Sequence, residues 1–140
     1  MTAPYRVLVT GSRNWPDERV VRRELARAWH ESGGPIIVVH GACDAGADQH
    51  AAQWVRDCQA ALLGGVADEP HPANWKRAPR GAGLARNRQM VDSRPALCLA
   101  FIAPCTRWNC NRLDVHGSHG ASHCADYAEA RGITTRRFTP

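Results

Sequence analysis

The sequence predicts an α/β fold: a sheet of about five mainly parallel strands with helices on both faces, built as a single domain over residues 1–140. Three observations carry that expectation. Short runs such as Val7-Leu8-Val9 and Ile36-Ile37-Val38-Val39 are apolar at every position, as strands buried on both faces of a parallel sheet are. They alternate with longer stretches whose apolar residues recur at helical spacing. Glycine and polar clusters follow the first, second and fourth of these strands, where open α/β sheets place their ligands.

Each element has its own signal. Tyr5 to Thr10 reads as the first strand. Pro16 suits a first helical position, and Val21, Leu25, Ala28 and Trp29 share one helical face until Gly33-Gly34 end it. Pro35 to His40, too short for a helix and bounded by glycines, is the second strand. Ala47, Ala51, Trp54, Val55 and Cys58 line one face of a second helix. Gly65 to Pro70 is a weak third strand, and Pro70 to Arg80, rich in Pro, Trp and Arg, reads as a loop. Gly81 to Ser93 is a third helix and Ala96 to Ile102 a fourth buried strand. After an irregular insert over 103–118, His119 to Arg131 forms the last helix, stopped by Gly132, and Ile133 to Phe138 the last strand.

At 140 residues and 44% hydrophobic, the chain can bury an ordinary core. No apolar run approaches the roughly 20 residues that span a bilayer, and the N-terminus has no signal-peptide pattern. A cytoplasmic protein without a membrane partner is expected. The net charge of +5 is carried by arginine, with Lys76 the one lysine. A basic balance suits phosphate-bearing partners, although an excess of Arg and Ala over Lys and Ile is also what GC-rich coding sequence produces. Six cysteines in this setting read as thiols or metal ligands rather than disulfides. Cys58 and Cys98 fall in apolar patterns, and Cys43 in a polar loop.

Three loop regions carry candidate chemistry. Gly11-Ser12-Arg13 offers backbone N–H groups, a hydroxyl and a guanidinium, the groups that hold a phosphate. Arg13 read alone also fits a solvated charge. In His40-Gly41-Ala42-Cys43-Asp44-Ala45-Gly46-Ala47-Asp48, Gly41 and Gly46 permit a tight turn and close approach of a ligand. Asp48 either complements the helix dipole or reaches a ribose hydroxyl. Arg86 and Asn87 stand near the start of the third helix, where a mediocre helix former such as Asn suits a ligand or loop contact. A solvated arginine-rich face is the alternative there. His71-Pro72-Ala73-Asn74-Trp75 reads either as an aromatic platform for a base or as a lid packed on the protein.

Together, Val-Thr-Gly-Ser-Arg with Trp15, Val-His-Gly-Ala-Cys-x-x-Gly-Ala-Asp with Trp54, and Arg86-Asn87-x-x-Met90 resemble the YspA-type (YpsA-related) branch of the SLOG superfamily. That superfamily also holds DprA-like proteins and the "lonely guy" phosphoribohydrolases. The resemblance implies a Rossmann-like fold that binds a nucleotide or nucleotide-derived ligand, often as a homodimer, in bacterial or phage proteins. It implies ligand contacts from Gly11, Ser12, Arg13, Gly41, Gly46, Asp48, Arg86 and Asn87, and from Gly117, Gly120 and Ser122 in the turn before the last helix. Lonely-guy enzymes pair a catalytic arginine with a glutamate; Arg86 stands at the arginine's place and Cys124 at the glutamate's. The carboxylates at hand to replace it are Asp44 and Asp48, so N-glycosidic hydrolysis of a nucleoside monophosphate stays open beside simple binding.

The insert is unusual in composition. Cys105-x4-Cys110-x5-His116-x2-His119-x3-His123-Cys124 gathers thiols and imidazoles suited to Zn²⁺, at a spacing unlike standard fingers. Cys105, Cys110, His116 and Cys124 are the expected ligands of a structural zinc over about 103–124, with His119 or His123 as alternates. Cys124 is also in register with Ala128 and would equally fit the core. Two competing functions remain at this stage: a DprA-like single-stranded DNA binder, and a zinc-stabilised interaction module without a working cleft.

Overall fold

A computed structural model describes residues 3–140. The strands are β1 (Tyr5–Gly11), β2 (Ile36–His40), β3 (Val66–Pro70), β4 (Leu97–Phe101) and β5 (Thr134–Phe138). The helices are α1 (Glu18–Ser32), α2 (Ala47–Ala60), α3 (Ala82–Asp92) and α4 (His119–Ala130). All five strands are parallel, in the order β3-β2-β1-β4-β5. The arrangement is Rossmann-like α/β. Central β1 pairs Val7 with Val38 on one side and with Leu97 on the other.

Alternation along the strands divides the core. Val7 and Val9 pack with Leu97, Leu99 and Phe101 against α1 and α2. Leu8, Val39 and Cys98 face the other way, against Met90 and Val91 of α3 and Cys124 and Ala128 of α4. Both faces are therefore apolar, and that is why these strands read as continuous hydrophobic runs. The edges differ. In β3 only Val66 is buried, so this strand left a weak pattern in the sequence. Edge strand β5 carries Arg136 and Arg137, paired with Glu31 at 2.9 Å and with Glu129 at 2.9 Å and Asp126 at 2.7 Å.

Helix α1 begins two residues later than Pro16. Asp17 is the N-cap, its carboxylate accepting from the N–H groups of Arg19 at 3.0 Å and Val20 at 3.4 Å. Gly33 closes the helix in the left-handed region, at φ 67°. Between β4 and α4 the insert is closed at its neck by an antiparallel bridge of Pro104 to Gly117 and by the Cys105 N–H bond to the His116 carbonyl at 2.7 Å. Its tip leaves Trp108, Leu113 and Val115 exposed. Among the described residues, no helix is long and apolar enough to cross a membrane.

Candidate functional site

The strand order reverses between β1 and β4, so the loops leaving their carboxyl ends part there and form a crevice. The loop after β1 builds one wall. A Cβ on Gly11 would lie 2.3 Å from the Ala47 Cβ, so α2 and β1 approach this closely only at glycine. Ser12 is buried; its N–H donates to the Phe101 carbonyl at 2.9 Å and its hydroxyl accepts from the Ala103 N–H at 2.9 Å. The same hydroxyl hydrogen-bonds the Ser118 hydroxyl at the head of α4. Arg13 is exposed, its guanidinium 5.8 Å from the centre of the Trp75 ring.

The loop after β2 lies against the first. Gly46 has φ 74°, and a Cβ there would stand 2.1 Å from the Ser12 carbonyl oxygen. His40 accepts the Ala42 N–H at Nδ1 (3.0 Å), which leaves the proton on Nε2 to donate to Asp68 at 2.8 Å. Asp48 is buried, with one carboxylate oxygen accepting the Gly41 N–H at 3.1 Å and the other without a partner. Burial raises its pKa above the usual carboxylate value, against the opposing pull of His40 and Arg86. Burial likewise raises that of the Cys43 thiol, and Asp48 nearby adds to it.

From α3, Arg86 reaches across to this loop. Its Nη1 donates to the carbonyls of Gly41 and, at 3.3 Å, His71, while its Nε donates to the Asn87 Oδ1 at 2.9 Å. Buried Asn87 then donates to the Gly120 carbonyl in the first turn of α4, at 3.4 Å. Gly117 packs where a Cβ would meet Ile102 at 2.6 Å and the Ser122 hydroxyl at 2.8 Å, whereas Gly120 faces open space. The fold thus links the expected residues through hydrogen bonds: Ser12 to α4, Asn87 to α4, Arg86 to Gly41, and Asp48 to Gly41. Asp44 is exposed, so Asp48 is the carboxylate brought to Arg86.

Sequence reasoning missed Ser118 and the His40–Asp68 pair. A hydroxyl immediately before a predicted helix was the available signal for Ser118, yet its side chain makes no cap and turns to Ser12 instead. The same is true of the helix starts more widely. The N-terminal ends of α2 (after Gly46), α3 (after Gly81) and α4 (after Ser118) have no side-chain cap; only α1 has one. All of them open at the carboxyl edge of the sheet; the Ala47 and Ala82 N–H groups donate to the Ser12 and Ala78 carbonyls, which leaves the later first-turn N–H groups and the positive dipole ends there. Surface depressions beside Trp29 and Pro35, and beside Arg94 and Arg131, lie at the opposite edge, away from these groups.

A second cluster sits at the neck of the insert. Ligand atoms of Cys105, Cys110, His116 and His119 all lie within 4.8 Å of one another. Cys124 does not join them, correcting the expected ligand set. It is wholly buried among Leu8, Val39, Met90 and Cys98, and burial pushes its thiol up to about 11, a poor start for a thiolate ligand. His119, one of the two alternates, takes its place. His123, the other, stacks on Tyr127 with ring centres 6.4 Å apart.

Comparison with known proteins agrees with this architecture. A family model described as YspA, cpYpsA-related SLOG family matches residues 5–77, which span both glycine loops and Trp75. The chain is 36% identical over 133 residues to the Gene 61 protein of Mycobacterium phage D29, an alignment covering 95% of each chain. No solved structure matches significantly. The chain belongs to the YspA, cpYpsA-related SLOG family.

Proposed function

We propose that the crevice binds a phosphate-bearing, nucleotide-derived ligand. The observation that carries this reading is the meeting of three uncapped helix N-termini with Arg13 and Arg86 at one sheet edge. Free N–H groups, dipole ends and guanidinium forks are an anion site by construction, and family membership supports a nucleotide-related ligand. Titration calorimetry with the four ribonucleoside 5′-monophosphates tests it. Binding that is lost in Arg13→Ala supports the reading; no binding to the wild type rejects it. Single-stranded DNA bound in place of mononucleotides, with steep salt dependence, would favour the DprA-like alternative.

Asp48 beside Arg86 favours a second step, hydrolysis of the N-glycosidic bond. A buried carboxyl with a raised pKa is suited to give a proton to a leaving base. Release of free base from a bound monophosphate, abolished in Asp48→Asn, supports it; binding without release assigns the protein to sensing.

The Cys/His cluster fits a structural Zn²⁺. Tetrahedral zinc with its usual bond lengths sets S···N edges of roughly 3.5 Å and an N···N edge of roughly 3.3 Å. Three of the four S···N separations are 3.4 Å, and His116 and His119 stand 3.2 Å apart at Nε2. His116 Nδ1 lies 2.8 Å from the Asp114 carbonyl, so this nitrogen holds the proton and Nε2 keeps its lone pair for the cluster. One equivalent of zinc in tag-free protein is expected; under a tenth of an equivalent refutes the assignment.

A further inference from the structure

The loop from Pro70 to Gly81 is tied to the crevice wall at its start and folded by a turn of its own. The carbonyl of His71 accepts from Arg86, and Asn74 organises a turn by accepting the Arg77 N–H at 3.1 Å on its side chain and the Ala78 N–H at 3.1 Å on its carbonyl. Within that turn Trp75 lays its ring on the first turn of α3. A Cβ on Gly83 would be 3.2 Å from the ring, so the contact depends on the missing side chain. Half of Trp75 stays exposed, 47%. Its visible partner is Arg13, and among the described residues that guanidinium forms no ion pair.

We propose that Trp75 is the base-stacking platform of the crevice, and that its ligand carries a planar heterocycle as well as phosphate. This rests on the binding reading above and names the other half of the ligand. An arginine without a carboxylate partner, parked over an indole, offers an anion site and a π-face together. A phosphate draws Arg13 toward the helix ends and uncovers the ring for the base, since every base has a π-face to stack. A nucleoside monophosphate has its charged and planar ends one ribose apart, and matches both groups.

The test compares ribose 5-phosphate with the four ribonucleoside 5′-monophosphates on wild type, Trp75→Ala and Trp75→Phe, by calorimetry. In the wild type at least one monophosphate should bind roughly ten- to a hundredfold tighter than ribose 5-phosphate. Trp75→Ala should close that gap to within about twofold, leaving ribose 5-phosphate affinity unchanged, while Trp75→Phe keeps most of it. A gap that survives Trp75→Ala overturns the proposal. So does a loss of both ligands alike, which would make Trp75 a support for the loop. Wild type that binds ribose 5-phosphate and the monophosphates equally overturns the platform but leaves phosphate binding standing. Wild type that binds none of them removes both readings.

Discussion

Asp48 and Gly46 show how single residues set this crevice. Folding raises the Asp48 carboxyl above its ordinary value of 3.8. The folded protein then holds the proton more readily than the unfolded chain, so this residue's contribution to stability falls as pH rises from about 4 through the folded pKa. Asp48→Asn stays neutral throughout. Urea midpoints measured from pH 4 to 8 should show the variant gaining on wild type with rising pH; a constant difference would contradict the assignment. At Gly46 the demand is steric, because φ 74° and the Ser12 carbonyl 2.1 Å from any Cβ leave no room. Gly46→Ala is expected to cost about 3 kcal/mol or more, whereas Gly120→Ala, with open space and a helical backbone, should be neutral or stabilise by up to about 1 kcal/mol. Denaturant unfolding of the two variants checks the contrast. The glycines were legible in the sequence because a strand-to-helix turn needs them. The unpartnered oxygen of Asp48 was not, since it depends on what three other elements leave around it.

At the scale of the element, the insert separates what spacing can and cannot say. Six soft ligands in a short segment announced a metal cluster, but not which four meet. On α4, residues 119 and 124 are five positions apart and point about 140° from one another. One turns to the insert and the other to the sheet. Cys105→Ser should therefore abolish zinc binding. Cys124→Ala should keep the full equivalent while lowering stability by about 1 kcal/mol or more, read by metal analysis beside urea unfolding. The helix boundaries carry a similar lesson. Pro16 marked the start of α1 to within two residues, but the capping carboxylate of Asp17 fixed it. The weak pattern of β3 followed from its place at the edge, which only the sheet order reveals.

For the whole molecule, the alternation of apolar runs and amphipathic stretches was enough to give a parallel sheet covered on both faces. Which helices share a face, and how the loops knit, required the crossover from β3 at one edge to β4 beside β1. With a net charge of +5 and three uncapped helix ends at one rim, ligand affinity should weaken as salt rises from 50 to 500 mM, and Arg86→Ala should lower it by about tenfold or more at either salt. Calorimetry across that range reads both effects.

The hydrogen bond between Ser12 and Ser118 joins residues 106 positions apart. During synthesis β1 emerges first, yet its neighbour β4 follows only after α1, β2, α2, β3 and α3. At ordinary translation speed the ribosome needs roughly 4 to 20 seconds to supply it. Throughout that delay one edge of the central strand waits unpaired, a hazard that slow parallel sheets share. The crevice thus comes into existence only after β4 and the start of α4 have been made, and a ligand seated there can recognise only a chain folded that far.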